Sequence, residues 1–208
     1  QNEGWSWSSV RQLLIVLLEA LAHAHARGVL HLDLNPRNIL VSSFFPVTAK
    51  VVDFGLAGLV EEGRVGGTPA YMAPEQTLGR DLGPHTDLYS LGCTAWWLIT
   101  GATPFEASSS ARMMELHRTE PLPAFYARFP VPAGLESWLQ GLLAKHPSGR
   151  YPYAADAKAA LLELESSLIS DPQKNVASFL PFQTTVQQTR SEEHTSELQS
   201  PCNLVCRL

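Results

Sequence analysis

A carboxylate and a carboxamide stand five residues apart in a polar stretch, HLDLNPRN, at residues 31–38. At this spacing Asp33 could accept the proton of an attacking hydroxyl, while the amide oxygen of Asn38 could ligate a magnesium ion close behind it. The pair alone is a weak signal, because the same residue types also stabilise ordinary Asx turns. Other features of the sequence must therefore decide whether this loop is reactive.

A second carboxylate follows fifteen residues after Asn38, in the sequence Asp53-Phe54-Gly55. Two valines precede it, so we expect a short strand that ends at Asp53 and brings its carboxylate into the same cleft. The segment GTPAYMAPE then occupies residues 67–75. Three such segments in this order and at these spacings argue against coincidence.

Together these segments resemble the protein kinase family. Residues 31–38 resemble the catalytic loop, residues 53–55 resemble the metal-binding motif, and residues 67–75 resemble the substrate-docking segment with its Ala-Pro-Glu end. The resemblance covers residues 10–168 and looks most like the bacterial members of the eukaryotic-like Ser/Thr kinases. It implies transfer of the ATP γ-phosphoryl group to Ser or Thr hydroxyls of a protein.

The resemblance also implies a role for each site residue. Asp33 would act as the catalytic base, and Thr68 would hydrogen-bond close to it. Asn38 and Asp53 would hold Mg²⁺ on the phosphates of ATP. The implied cofactors are therefore ATP and Mg²⁺, and the implied partner is a protein substrate bearing Ser or Thr.

Structural roles are implied for five further residues, namely His31, Gly55, Glu75, Asp87 and Arg150. Asp87 would begin the family's central helix and accept hydrogen bonds from the catalytic-loop backbone. Arg150 would form an ion pair with Glu75, which would tie the docking segment to the helical base.

Two positions depart from the family pattern. Leu32 stands where many kinases have an arginine that binds a phosphorylated activation loop, so we do not expect phosphate-driven ordering. Asn35 is a candidate catalytic residue by position, because it stands where Ser/Thr kinases usually have a lysine that touches the transferring phosphate. Arg37 could supply that positive charge, but as a planar fork rather than a point charge.

Hydrophobic periodicity predicts a mainly helical chain. The expected helices cover residues 10–26, 87–100, 109–118, 135–144 and 154–168, and short extended pieces are expected at residues 29–31, 39–41 and 50–52. Ser8 or Ser9 could cap the first helix. Residues 87–100 are apolar on nearly every side, which predicts a buried central helix. Residues 54–74 are rich in glycine and proline and should form a long ordered loop.

The fold class expected from these patterns is mainly α, a protein-kinase-like large C-terminal lobe with a few short strands around the catalytic loop. The small β-rich lobe is expected to be absent, because no glycine-rich phosphate loop or Val-Ala-x-Lys strand occurs. The predicted domains are a C-terminal lobe at residues 1–168, a linker at 169–189 and a tail at 190–208. That tail resembles a translated sequencing adapter, and we expect only a longer parent protein to be active.

Composition excludes several classes of protein. The formal net charge of −5 offers no basic stripe for nucleic acid, and no apolar stretch is long enough to span a membrane. Cys93, Cys202 and Cys206 give no disulfide framework, which favours a cytoplasmic location. His23 and His25 lack a third ligand at metal spacing and should be surface or structural residues.

Two other functions stay open. A pseudokinase that acts as a scaffold or regulator is suggested by Leu32 and Asn35, although Asp33, Asn38 and Asp53 are all present. A small-molecule phosphotransferase would share the H-x-D-x-x-x-x-N loop. Enzymes of that type lack the docking segment at residues 67–75, which makes this alternative the weaker one.

Overall fold

The computed structural model describes residues 5–44, 46–54, 66–170 and 206–207, with side chains described in 5–43, 46–54 and 66–164. Its helices are α1 Trp7–His25, α2 Pro84–Thr100, α3 Ser110–Thr119, α4 Leu135–Leu142 and α5 Ala154–Ser170. Its strands are β1 Ile39–Phe44, β2 Val47–Val51 and β3 Cys206–Arg207. Short 3-10 helices, Pro36–Asn38 and Pro69–Tyr71, lie within residues 31–38 and 67–75. All five predicted helices are confirmed, with ends shifted by a few residues.

Helix α1 begins earlier than the apolar periodicity indicated. Its N-cap is Ser6, not Ser8 or Ser9, and the Ser6 side chain accepts a hydrogen bond from the backbone N–H of Ser9. The Ser9 hydroxyl in turn accepts from the backbone N–H of Ser6, which completes a capping box. One face of the helix is fully buried, and its members are Val10, Leu13, Leu14, Leu17, Leu18 and Leu21.

Helix α2 is the buried centre of the molecule, as predicted. It begins after Gly83, whose N–H donates to the Thr86 hydroxyl, and it ends at Gly101 with a φ of 89°. Gly92 lets α4 approach closely, because a Cβ at this position would lie 2.9 Å from the Cβ of Leu142. The middle of this helix is therefore packed closely against α4.

Strands β1 and β2 form an antiparallel pair in which Ile39 faces Val51 and Leu40 faces Lys50. Strand β3 pairs with the other edge of β1, giving the order β2-β1-β3. Residues 29–31, which we expected to be extended, are not part of a strand. The backbone N–H of His31 donates a hydrogen bond to the Asp87 side chain and not to a neighbouring strand.

The predicted fold class needs correction. We expected the large C-terminal lobe alone, with a few short strands around the catalytic loop and without the small β-rich lobe. The structure combines a small sheet with the helices, and β2 packs directly against α1. That prediction was based on motifs that the sequence lacks, and missing motifs do not determine which elements the remaining residues form. The described chain is better regarded as one unit of helices and sheet around a common core.

Parts of three predictions lie outside the described residues. The long loop expected at residues 54–74 is described only at 54 and from 66 onward, and Gly55 is not described. The linker expected at 169–189 is described only at 169–170. Of the tail expected at 190–208, only Cys206–Arg207 is described.

The buried side chain of His117 on α3 predicts a loss of stability in acid. Its Nδ1 is hydrogen-bonded to the Tyr89 hydroxyl at 2.9 Å, and burial, followed by the nearby Lys145 ammonium, lowers its pKa from 6.5 to about 4. Because the folded protein resists protonating this ring, its stabilising contribution is complete above pH 6.5 and is lost as pH falls towards 4. Urea midpoints should fall across that range.

The variant His117→Gln should flatten part of this pH dependence, because glutamine does not titrate. His23→Gln is the matched control, since the His23 side chain is exposed. A His117 ring that titrates near pH 6.5 in the folded protein, followed by NMR, would contradict the assignment.

Candidate active site

The carboxylate of Asp33 is held from two sides. Its Oδ1 accepts hydrogen bonds from the Thr68 backbone N–H at 2.7 Å and from the Thr68 hydroxyl at 2.8 Å. The Asn38 side-chain N–H₂ donates to its Oδ2 at 3.2 Å and to its backbone oxygen at 2.8 Å. These bonds join the two predicted segments and fix the direction of a half-buried carboxylate that can still accept a proton.

Asn35 is buried and its amide is occupied by the loop itself. The N–H₂ group donates to the Asp33 backbone oxygen at 2.8 Å and to the Thr68 hydroxyl at 3.2 Å. Its Oδ1 accepts from the backbone N–H of Arg37 at 3.0 Å, which caps the helix Pro36–Asn38. The Arg37 side chain is exposed. Between these two candidates, Arg37 is therefore the group whose charge is available to a ligand.

Asp87 supports the catalytic loop from below. Its Oδ2 accepts from the backbone N–H of His31 at 2.9 Å and from His25 Nε2 at 2.8 Å, while its Oδ1 accepts from the Leu32 N–H at 2.8 Å. The carboxylate is fully buried, and these donors compensate the loss of its hydration. The sequence had suggested only a surface or structural role for His25, and the structure gives it the structural one.

Asp53 is placed by the bonds that hold the residue before it. The N–H of Val52 donates to the Asn38 backbone oxygen at 2.9 Å, and the Val52 oxygen accepts from His31 Nε2 at 2.9 Å. His31 Nδ1 accepts from the Asp33 N–H at 3.2 Å, so its ring connects the two loops. Asp53 is exposed and has a φ of 59°. Asp53 thus follows a residue that is bonded to both His31 and Asn38, and it is open to solvent.

Glu75 and Arg150 form a buried ion pair. Arg150 Nη1 lies 2.7 Å from Glu75 Oε1, and Nη2 lies 2.8 Å from Oε2, which is a two-bond, fork-like arrangement. Burial alone would raise the pKa of the Glu75 carboxyl, but the hydrogen bonds and charge of Arg150, with Thr86, leave that pKa below its ordinary value. The docking segment is therefore fixed to the helical base.

Tyr71 is held by its backbone. Its backbone oxygen accepts a hydrogen bond from the Ser90 hydroxyl on α2 at 2.8 Å. Burial raises the pKa of the Tyr71 phenol to about 12, so it carries no charge at neutral pH. Tyr71 therefore acts in this segment as a packed, uncharged side chain.

The donor set suits magnesium better than a transition metal. No group of three His, Cys, Asp or Glu side chains that could hold a metal occurs in the part of the chain that the structure describes. Mg²⁺ usually takes one or two carboxylates and completes its shell with water and substrate phosphates. Asp53 and the amide oxygen of Asn38 fit that mode of binding.

Sequence reasoning missed Gln76. Its side chain is 2% exposed, and its N–H₂ donates to the backbone oxygens of Leu32 and Gly66. Gln76 stands directly after the Ala-Pro-Glu sequence, but a glutamine in that position carries no sequence signal of burial. Only the folded chain shows that it bridges the two segments.

Comparisons with known proteins agree with this geometry. The protein kinase domain family matches residues 1–160 of the chain. This range overturns the prediction of a C-terminal lobe alone, because the matching family model describes the kinase domain and not a single lobe. None of the helices in the described ranges has the length and apolar character that a membrane span requires.

Three curated bacterial kinases are similar to this chain. The serine/threonine-protein kinase Pkn1 of Myxococcus xanthus is 40% identical over 164 residues, which are 74% of this chain and 24% of that protein. PknF of Mycobacterium tuberculosis is 34% identical over 167 residues, 76% of this chain and 35% of that protein. PknB of Mycobacterium leprae is 33% identical over 156 residues, 71% of this chain and 25% of that protein.

The chain thus spans about a quarter to a third of the length of these relatives. Family match, relatives and site geometry agree on one assignment. The chain belongs to the protein kinase family, among its bacterial-type serine/threonine kinases.

Proposed function

We propose that the protein transfers the γ-phosphoryl group of ATP to Ser or Thr hydroxyls of a protein substrate. The observation that carries this proposal is the fixed carboxylate of Asp33, bonded by Thr68 on one oxygen and by Asn38 on the other. Protein kinases use ATP with Mg²⁺, and their chemistry depends on positioning and electrostatics. A carboxylate with a preset direction suits that requirement.

Asp33 would accept the hydroxyl proton of the substrate as the hydroxyl oxygen bonds to the γ-phosphorus. The bond from that phosphorus to the β–γ bridging oxygen breaks, and ADP leaves with that oxygen. Mg²⁺, when bound, supplies positive charge that stabilises the phosphates. Asp53 and Asn38 would hold it there.

The exposed Arg37 would supply the positive charge near the transferring phosphate. Asn35 is unsuited to that role, because both hydrogens of its amide already bond to Asp33 and Thr68. An arginine also offers two parallel donors that match the oxygens of a phosphate.

A transfer assay tests the proposal. The full-length protein that carries this sequence would be incubated with radiolabelled ATP, Mg²⁺ and a mixture of protein acceptors, and the labelled amino acids identified. Label on Ser or Thr that disappears with Asp33→Asn supports the proposal. Folded wild-type protein that binds ATP with Mg²⁺ but transfers no label would refute it.

That last result would favour a scaffold or regulator instead. Two observations favour that alternative: Leu32 precedes Asp33, and the side-chain amide of Asn35 already makes three hydrogen bonds within the protein. A scaffold should bind its protein partner equally well with and without the change Asp33→Asn, whereas phosphoryl transfer requires the carboxylate.

Replacing Asp53 with asparagine should weaken magnesium-ATP binding as well as turnover. The amide lacks the negative charge that attracts Mg²⁺, so we expect the Kd for ATP with Mg²⁺ to rise by about tenfold or more. Titration calorimetry with and without Mg²⁺ measures this. Asp156→Asn, at an exposed site on α5, is the control. An unchanged Kd would remove Asp53 from the metal site.

A further inference from the structure

We propose that Gln76 is a positioning residue that sets the geometry of Asp33 and Thr68. The buried N–H₂ group of Gln76 donates one hydrogen bond to the backbone oxygen of Leu32 and another, of 3.0 Å, to that of Gly66. Leu32 directly precedes Asp33, and Gly66 lies two residues before Thr68. One side chain therefore joins the backbones that carry both members of the candidate reactive pair.

The Leu32 peptide needs this support. Its φ of 61° lies in the left-handed region, which leucine adopts only where neighbouring contacts enforce it. Asp87 holds its N–H at 2.8 Å, and Gln76 holds its oxygen. Without Gln76 this oxygen would be buried without that donor, and the direction in which the chain enters Asp33 would be less restricted.

Gly67 lets the docking segment approach the same amide. A Cβ at this position would lie 2.9 Å from Gln76 Nε2 and 3.1 Å from the Leu32 oxygen, and its φ of 127° also favours glycine. Thr68 follows at once and bonds to Asp33. The segment is thus fixed at two adjacent points, first by Gln76 and then by Asp33.

The orientation of the amide is determined by its two acceptors. An oxygen placed where Nε2 lies would face the oxygens of Leu32 and Gly66 and be repelled by both. Gln76 Oε1 is buried and has no hydrogen-bond partner among the described residues. An apolar side chain would avoid that unfavourable burial, so packing alone does not account for a glutamine here.

The inference rests on the proposed function, and its test compares three variants of the full-length protein. Gln76→Met keeps the length but removes both donors, and Gln76→Glu puts a carboxylate against two carbonyl oxygens. Gln140→Glu makes the same chemical change at an exposed position on α4 and is the control. Each variant is assayed for kcat, for KM towards ATP and for melting temperature.

We expect kcat to fall by about tenfold to a hundredfold in both Gln76 variants, because small displacements of catalytic groups have effects of this size. KM for ATP should change by less than about twofold, since the amide acts on the base and not on the nucleotide. Values of kcat equal to those of the control would overturn the proposal.

The pH profile separates positioning from packing. The carboxyl introduced by Gln76→Glu can, once protonated, donate one hydrogen bond to Leu32, so kcat of this variant relative to wild type should rise from about pH 8 to about pH 6. Gln76→Met has no such proton, and its relative kcat should stay flat. A flat ratio for both variants, or a Gln76→Glu protein unfolded at both pH values, would leave Gln76 as a stability residue and reject the proposal.

Other titratable groups surround these segments, and they include Asp33, Asp87, Glu75 with Arg150, His25, His31 and His85. All of them occur in wild type and variants alike. Their contributions therefore largely cancel in the ratio, and the introduced carboxyl is the only added titrating group.

Hydrogen exchange gives a readout that does not need activity. The amides of Leu32 and Thr68 should exchange faster in Gln76→Met than in wild type or Gln140→Glu, in peptides covering residues 31–38 and 66–72. If the wild-type protein showed no transferase activity, the proposed function would be rejected. Hydrogen exchange at the Leu32 and Thr68 amides would still test whether Gln76 positions the two backbones. Unchanged exchange rates at both the Leu32 and Thr68 amides would overturn the proposal that Gln76 is a positioning residue.

Discussion

Asp33→Asn is expected to reduce kcat by about a hundredfold to ten-thousandfold, the range that a general base contributes. The change removes the proton-accepting carboxylate but keeps nearly the same shape. The remaining oxygen can still accept from the Thr68 N–H and hydroxyl, which now bond to Asp33 Oδ1 at 2.7 and 2.8 Å. The backbone bond from Asn38 to residue 33 is also kept.

ATP affinity should therefore stay nearly unchanged, because the base acts on the acceptor hydroxyl and not on the nucleotide. Single-turnover kinetics and ATP titrations on the same preparation measure both quantities. Asp81→Asn is a matched control, since Asp81 is exposed and its φ of 56° is well tolerated by asparagine. A variant that loses ATP binding as strongly as Asp53→Asn would disprove this division of roles.

The positions of the helices could be predicted from the sequence, because a helix with a buried face repeats its apolar residues every three or four positions. The apolar residues of α1 recur at three and four positions, and those of α2 surround the helix, so both were predicted near their observed bounds. Their ends were less predictable. Ser6 competes with Ser8 and Ser9 as N-cap, and only the folded backbone shows which serine caps the helix.

The candidate site was found from spacing, but its supporting bonds were not. Asp33, Asn38 and Asp53 stand at recognisable intervals. Asn35 was considered as a catalytic group, whereas its amide bonds to Asp33 and Thr68. Gln76 was overlooked because its side-chain amide donates to two backbone carbonyl oxygens, those of Leu32 and Gly66. A backbone carbonyl is present at every residue and therefore leaves no signature in the sequence. Side-chain to backbone bonds of this kind depend on tertiary approach, which local patterns do not encode.

Arg150→Met is expected to destabilise the protein by about 3–5 kcal/mol, the usual result of leaving a buried charge unpaired. Glu75 would lose both guanidinium bonds and keep the 2.9 Å bond from the Thr86 hydroxyl. Arg150 also donates to three backbone oxygens, those of Ala144, His85 and Lys145. Chemical denaturation at neutral pH measures the loss. Lys158→Met is the control, since its pair with Glu19 is exposed and should contribute about 1 kcal/mol or less.

Acid should reduce the difference between Arg150→Met and wild type. In wild type the lowered pKa of Glu75 gives stability that is present above the ordinary carboxyl pKa and is lost as pH falls through the folded value. In the variant burial is no longer opposed by Arg150, so the carboxyl should take up its proton readily and the penalty of its charge should disappear. Glu75→Gln combined with Arg150→Met should accordingly be less destabilised than the sum of the single changes, by about 0.5–3 kcal/mol. A loss that is independent of pH, together with strict additivity, would show that Arg150 stabilises the fold through its backbone bonds and not through Glu75.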